Sequence, residues 1–193
     1  MRQKIRRHRT KRLLPYAEHW HTADVLQSTA EVNPTGAYHL RLAAVLFRYF
    51  ALESFLNLIG EEQFKCWKAL ERLSTEKKLT LLAEKVNVVP DYSRMPWQMV
   101  KKLTDIRNQI AHGKNVHIET VDVVTPETYD KEMFASLNAE WQDFPTPGTC
   151  AKVKSEVNAV IAGLWTASGH ELSSLFVRGL QFGSAEAEPE NDF

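Results

Sequence analysis

Apolar residues recur every three or four positions over most of the chain, which is the spacing of one face of an α-helix. The pattern is clearest in residues 96–113, where it places Val100, Leu103, Ile106 and Ile110 on one face. No regular alternation of strands with helices, as an α/β sheet requires, accompanies it. The sequence therefore predicts an all-α protein, a helical bundle with a long central helix and short connections.

Proline, asparagine, serine and glycine indicate where the helices begin and end. The predicted helices cover about 15–31, 34–59, 61–73, 74–86, 96–113, 125–137 and 149–168, with a short helix within 171–182. Asn33 is predicted to cap the helix that Pro34 opens, and Gly60 to end that helix. Residues 117–124 partly alternate between polar and apolar, which indicates an extended edge or a loop.

The longest apolar stretch, residues 40–59, has the length of a membrane span. Arg41, Arg48, Glu53 and Asn57 interrupt it, so we interpret it as a buried helix of a soluble protein. The basic N-terminus is followed by no apolar run, which argues against a secretory signal.

The two cysteines, Cys66 and Cys150, lie far apart and form no CxxC pair. This argues against a disulfide scaffold or a cysteine-based zinc site and is typical of a reducing compartment. We therefore expect a cytoplasmic protein without a membrane span, a metal or another cofactor.

Charge is distributed unevenly, although the formal net charge is zero: the first 12 residues hold seven Lys and Arg and no acid. We expect residues 1–14 to form a basic, partly disordered arm and residues 184–193 an acidic, disordered tail, on either side of one helical domain over 15–183. The arm is a candidate RNA-binding element, with a solvated terminus as the alternative. Its candidate RNA-binding residues are Arg6, Arg7, Arg9, Lys11 and Arg12.

The end of the helix 96–113 carries the strongest candidate for chemistry, namely Arg107, Asn108 and His112. Asn108 and His112 are four residues apart and lie on one helix face, whereas Arg107 and His112 are separated by roughly 140° around the axis. With Ile106 and Ile110 in the core, the helix end is expected to present a cation, an amide and an imidazole to one crevice.

Cleavage of RNA by its own 2′-hydroxyl needs a group that removes one proton and donates another, which imidazole does near neutral pH, and a cation that binds the phosphate. This chemistry requires no metal ion. The alternative is structural: Arg107 pairs with a carboxylate, and His112 interacts favourably with the negative end of the helix dipole.

The stretch 107–113, RNQIAHG, resembles the Arg-polar-x-x-x-His motif of the HEPN superfamily of helical domains. Residues 50–57, FALESFLN, resemble the "aleafiN" segment in the long helix of many members. Residues 67–79, WKALERLSTEKKL, resemble the "leklsl..Kl" segment that follows it. The order of the segments agrees with the family, and the resemblance covers about residues 34–169.

The resemblance implies a HEPN-like bundle and, as in many members, a metal-independent endoribonuclease, often a toxin or a phage-defence effector. Such proteins typically form homodimers in which two motif helices build one composite active site. Carried over, Arg107 contacts the phosphate, His112 is the acid–base residue and Asn108 orients both. RNA, a second copy of the chain and an antitoxin protein are the implied partners.

Two other readings stay open at this point. Some members of the family lack nuclease activity, so the chain is alternatively a non-catalytic module that binds RNA or a partner protein. A helical structural protein that shares only ancestry with the family is the third reading.

Polar residues of the long helix have two readings each. Glu53 and Asn57, four residues apart, either orient Arg107, with Glu53 as its ion partner, or form a local hydrogen bond between helices. Arg41 and Arg48, seven residues apart, either line an RNA groove or a dimer rim, or belong to a solvated face.

Overall fold

The computed structural model describes residues 5–132 and 136–187. In chain order the elements are β1 Ile5–Leu13, α1 Pro15–Val32, α2 Ala37–Gln63, α3 Trp67–Leu70, α4 Thr75–Lys85, α5 Trp97–His112, α6 Pro126–Glu132, α7 Glu140–Asp143, α8 Pro147–Ala167, a 3₁₀ turn Leu172–Ser174 and β2 Gly179–Ala187. The prediction of a predominantly helical protein is confirmed, and the two strands form a small sheet that the sequence analysis did not predict.

The long helix α2 is the centre of the bundle, with α1, α3, α4, α5 and α8 packed around it. Because neighbours surround it, α2 is apolar over most of its circumference and buries Leu52, Phe55, Leu56 and Ile59 completely. The prediction that residues 40–59 belong to a buried helix is confirmed at these positions.

By length and composition α2 is also long enough, and apolar enough over its most apolar 18-residue window, to cross a membrane. Half of that window is buried against the rest of the protein. A core helix passes the same test, so the measure does not distinguish a core helix from a membrane span.

The ends of α2 differ from the prediction. Asn33 follows α1 and accepts a hydrogen bond from the Thr35 amide over 3.1 Å, and the helix begins three residues after Pro34, behind Gly36 at φ 74°. The helix continues through Gly60 to Gln63. A Cβ at Gly60 would lie 2.1 Å from the Trp67 ring, so this glycine allows close packing of the indole and does not end the helix.

The expectation of a disordered arm and a disordered tail is wrong for residues 5–13 and 184–187. Strand β1 pairs antiparallel with β2, from Ile5 opposite Ala187 to Leu13 opposite Gly179. Pairing satisfies the backbone polar groups of two exposed segments, although each lacks a partner near it in sequence. Residues 1–4 and 188–193, which the same expectation included, lie outside the described residues.

The β1–β2 pair also replaces the short helix predicted within 171–182, where only the 3₁₀ turn forms before the chain becomes extended. Gly179 is required where the two strands meet, because its φ is 132° and a Cβ there would lie 2.1 Å from the Arg12 carbonyl oxygen.

Candidate functional site

The motif helix α5 begins and ends where the sequence predicts. Gly113 follows it in the left-handed conformation at φ 42°, which an L-residue with a side chain rarely adopts. Leu103 and Ile106 are buried beneath it, and Ile110 is half-buried. The inward face of α5 therefore fixes the direction in which the motif side chains leave the helix.

Arg107 lies against the aromatic ring of Tyr49 on α2. The guanidinium carbon is 5.7 Å from the ring centroid, and Nη1 donates a hydrogen bond to Asn108 Oδ1 over 3.2 Å. The Nε atom is buried and has no hydrogen-bond partner among the described residues. Within that part of the chain Arg107 also forms no ion pair, so its predicted structural alternative, pairing with a carboxylate, is not found.

Tyr49 holds this arrangement in place. Its hydroxyl lies 2.7 Å from Thr75 Oγ1 of α4, and the side chain is only 4% exposed. Burial raises the pKa of the Tyr49 hydroxyl; the hydrogen bond with Thr75 and the Arg107 charge lower it, whereas the Glu53 charge raises it. Arg107 and Glu53 therefore both act on Tyr49.

The expectation that Glu53 is the ion partner of Arg107 is not met, because no ion pair joins the two side chains in the described residues. Asn57 accepts a hydrogen bond from Lys78 Nζ over 2.8 Å, which ties α2 to α4. Lys78 is 2% exposed and needs such an acceptor. Of the two interpretations of Asn57, the structure contains the local hydrogen bond between helices.

His112 is the last residue of α5 and is exposed, as is Asn108. No hydrogen bond from His112 to Arg107 or Asn108 is formed in the structure. A basic side chain in the last turn also interacts favourably with the helix dipole, so this structural role of His112 fits the geometry as well. One chain thus joins Arg107 and Asn108 by a hydrogen bond that does not include the imidazole.

A cavity of about 450 Å³ lies beside the end of α5, lined by residues that include Gln109, Ile110, Gly113 and Trp141. Ile110 and His112 are about 200° apart on an ideal helix, and none of Arg107, Asn108 and His112 lines the cavity. This cavity, which opens on the other side of α5, is therefore not the crevice that the three motif residues were expected to share.

The two arginines of α2 are tertiary contacts, so neither lies on a solvated face. Arg48 is 2% exposed; it pairs with Asp24, donates to the Trp20 carbonyl over 3.1 Å and lies 3.8 Å from the Trp20 ring centroid. Arg41 Nε donates to the Pro145 carbonyl over 2.8 Å. Sequence reasoning missed this role because the partners come from α1 and from the segment before α8.

The candidate RNA-binding residues of the arm all lie on β1, and every residue of that strand is exposed. They therefore occupy fixed, alternating positions along a strand, in contrast to the flexible arm that the sequence predicted.

No group of three or more His, Cys, Asp or Glu side chains suited to hold a metal ion occurs in residues 5–132 and 136–187. Comparison of the chain with known protein families, with curated proteins and with solved structures finds no match.

Proposed function

We propose that the chain is a HEPN-type, metal-independent endoribonuclease that acts as a homodimer with a composite active site. The observation that carries this proposal is the state of Arg107: its guanidinium is held against Tyr49, bonded to Asn108, and left without a carboxylate at an accessible helix end. A cation that is positioned but not neutralised is what phosphate binding needs. The order of a long helix, short helices, a motif helix and a final long helix also supports a HEPN-like bundle.

The reaction follows from these groups. The 2′-oxygen of RNA attacks the adjacent phosphorus and loses its proton to one imidazole, while the 5′-oxygen leaves and gains a proton from another. Arg107 binds the phosphate oxygens through donors that the single bond to Asn108 leaves available. The products are a 2′,3′-cyclic phosphate, which opens to a 3′-phosphate, and a 5′-hydroxyl.

A second copy of the chain supplies what one copy lacks. Each chain has one His112, whereas the reaction uses a base and an acid, and a twofold axis beside this residue provides both. The segment that follows the motif carries Val116, Val121 and Val123, all of which are exposed. Exposed apolar side chains next to the motif are typical of an interface, and they support association at this end of α5.

A cytoplasmic toxin or phage-defence effector, with an antitoxin protein as its partner, is the biological role that this chemistry fits. RNA is present in the cytoplasm, and an enzyme that cleaves it without a cofactor must be controlled by another molecule. This context is part of the proposal and follows from the motif resemblance.

The test is incubation of the purified protein with single-stranded RNA in EDTA, with the product ends identified chemically. We expect His112→Ala and Arg107→Ala to lower the cleavage rate by about 10² or more, the usual contribution of such groups. The controls are His117→Ala, at an exposed histidine five residues further on, and Lys101→Ala, at an exposed cation of α5; both keep the full rate. A 5′-phosphate product, strict dependence on magnesium or full activity of His112→Ala contradicts the proposal.

The alternative, a non-catalytic module that binds RNA or a protein, is favoured by one observation. His112 forms no hydrogen bond with Arg107 or Asn108 within a chain, and none of the three lines the cavity beside α5. The same experiment distinguishes the two, because this alternative predicts that RNA or a partner is bound without cleavage in every variant.

A further inference from the structure

The β1–β2 pair has two different faces. Opposite residues of an antiparallel pair point to the same side, and the side alternates from one residue to the next. On one side Arg7 lies opposite Ala185, Arg9 opposite Gly183 and Lys11 opposite Gln181. We call this side the basic face, because its central positions on β1 are all cations and those on β2 are all neutral.

The other face has a different composition. There Arg6 lies opposite Glu186, His8 opposite Ser184, Thr10 opposite Phe182 and Arg12 opposite Leu180. Among the described residues of β2, the one acidic side chain is therefore on this side, together with the one aromatic side chain. The cations of the basic face have no carboxylate across the ladder from them.

Small residues on β2 leave the basic face open. A Cβ at Gly183 would lie 3.4 Å from Cγ of Arg9, so the stem of this side chain passes over the glycine backbone. Cations two residues apart on a strand are separated by about 6.6 to 6.8 Å, which is comparable to the distance between neighbouring phosphates in an extended strand. The face is therefore a flat row of evenly spaced positive charges.

The base of the ribbon lies beside the long helix α2, which also carries Tyr49. A cavity of about 230 Å³ at its base is lined by Arg12 and Leu13 on one side and by Asn57 of α2 on another. Tyr49, which carries Arg107, lies eight residues before Asn57, or about 12 Å along the helix axis. A polynucleotide that leaves the ribbon at its base can follow α2 toward Tyr49, against which Arg107 lies.

We infer that the β1–β2 ribbon binds single-stranded RNA through the basic face alone, with Arg7, Arg9 and Lys11 contacting successive phosphates. The choice of RNA over another polyanion rests on the proposed function, whereas the one-sided binding rests on the strand register. The opposite face carries Glu186 together with its two cations, Arg6 and Arg12, so its net positive charge is lower and it attracts phosphate less strongly. The ribbon holds the substrate and takes no part in the chemical step.

The experiment places one added acid on either face of β2. Ala185→Glu introduces it beside Arg7 on the basic face, Ser184→Glu introduces the same charge on the opposite face, and Ala185→Gln is the neutral control of matched size. Both positions are exposed, so the fold tolerates the changes. Binding is measured by fluorescence anisotropy in EDTA with a 2′-O-methyl RNA oligonucleotide, which cannot be cleaved through a 2′-hydroxyl.

Loss of one phosphate contact lowers the slope of log affinity against log salt by about 0.7, which is roughly a fivefold loss of affinity at 0.1 M salt. We expect this loss or more for Ala185→Glu, and a change under twofold for Ala185→Gln and Ser184→Glu. Replacement of Arg7, Arg9 and Lys11 together by Gln is expected to remove about 2 from the slope.

Equal losses in Ala185→Glu and Ser184→Glu overturn the inference, because net charge and not one face then governs binding. Tighter, face-dependent binding of phosphatidylserine vesicles or of polyglutamate than of RNA overturns the choice of partner. This inference and the proposed function can fail separately. Face-dependent binding of RNA without cleavage supports the inference about the ribbon and refutes the nuclease. Cleavage that needs His112 but not the basic face supports the nuclease and refutes the inference about the ribbon.

Discussion

Removal of the Asp24 carboxylate is expected to destabilise the protein more than removal of the cation it pairs with. Arg48 is 2% exposed, its Nε atom is buried without a partner in the described residues, and Asp24 supplies its charged acceptor. Burial lowers the pKa of the Arg48 guanidinium even though Asp24 raises it. The carboxylate therefore does not fully offset the cost of burying the cation, and its loss leaves that cost unopposed.

The loss of unfolding free energy depends on whether the residue that remains after the substitution is buried without a partner. Breaking a buried ion pair by removing one member costs about 3 to 5 kcal/mol. Because the Asp24 side chain is 32% exposed, we expect the lower end, about 3 kcal/mol, for Asp24→Ala. Arg48→Met leaves a carboxylate that still has Lys154 at 2.6 Å and contact with water. Its cost is therefore about 1.5 kcal/mol, the lower end of the usual worth of hydrogen bonds to a charged group.

Urea denaturation followed by far-UV circular dichroism, at one fixed protein concentration, measures these differences. In a thermal melt followed by the same signal, Asp24→Ala is expected to lower the melting temperature by about 6 to 12 °C for a chain of this size. The control is Lys154→Ala, which removes a side chain that is 46% exposed and costs under about 1 kcal/mol. The reasoning is refuted by a cost below 1 kcal/mol for Asp24→Ala, or by a larger cost for Arg48→Met.

The same pair makes stability depend on pH. Burial raises the pKa of the Asp24 carboxyl, but the hydrogen bonds and charges of Lys154 and Arg48 outweigh burial and hold the pKa below its ordinary 3.8. Since the folded-state pKa is lower than that of the unfolded chain, the stabilisation is present above about pH 4 and is lost as the pH falls through the folded-state value. Asp24→Ala should abolish this acid-dependent part of the unfolding free energy, and an unchanged profile would assign it to other carboxylates.

Three further outcomes are expected. A mixed dimer of one wild-type and one His112→Ala chain should lose about 10² or more in cleavage rate if the site is composite; half of the wild-type rate, or a monomer at micromolar concentration, contradicts this. Gly60→Ala should destabilise the protein by about 1 to 3 kcal/mol, because its Cβ has no room, whereas Gly163→Ala, with nothing within 4 Å, should stabilise α8 by about 0.5 to 1 kcal/mol; thermal melts that show equal effects refute the packing argument. Asn57→Ala leaves the buried Lys78 ammonium without its acceptor and should cost about 1 to 3 kcal/mol in urea denaturation without altering the RNA products; changed products would return Asn57 to the reaction.

The sequence alone determined the helices whose signals are local. The apolar spacing and the glycine of α5 predicted its extent, and Ser74 caps α4 by accepting from the Lys77 amide over 3.4 Å, as its position indicated. The exposed place of His112 followed from the same helix. These features depend on residues within one or two turns, where spacing and backbone preferences act without help from the rest of the chain.

Tertiary structure decided everything that depends on residues far apart in sequence. The ribbon joins strands at opposite ends of the chain, and no local pattern in β1 or β2 indicates the other. Arg48 is buried because α1 brings Asp24 and Trp20 to it. From the sequence alone, an arginine within a helical pattern is predicted to be solvated. Gly60 resembled a helix end because the sequence does not show that the Trp67 ring occupies the space of its missing Cβ.

The candidate site divides in the same way. The sequence placed Arg107, Asn108 and His112 on one helix end, because helical spacing is fixed by the backbone. It could not show that Arg107 lies against the Tyr49 ring, that Asn57 is bonded to Lys78, or that a cavity opens on the opposite side of α5. Those facts depend on how α2, α4 and α5 pack together, since side chains from separate helices meet only when the core that they share has formed.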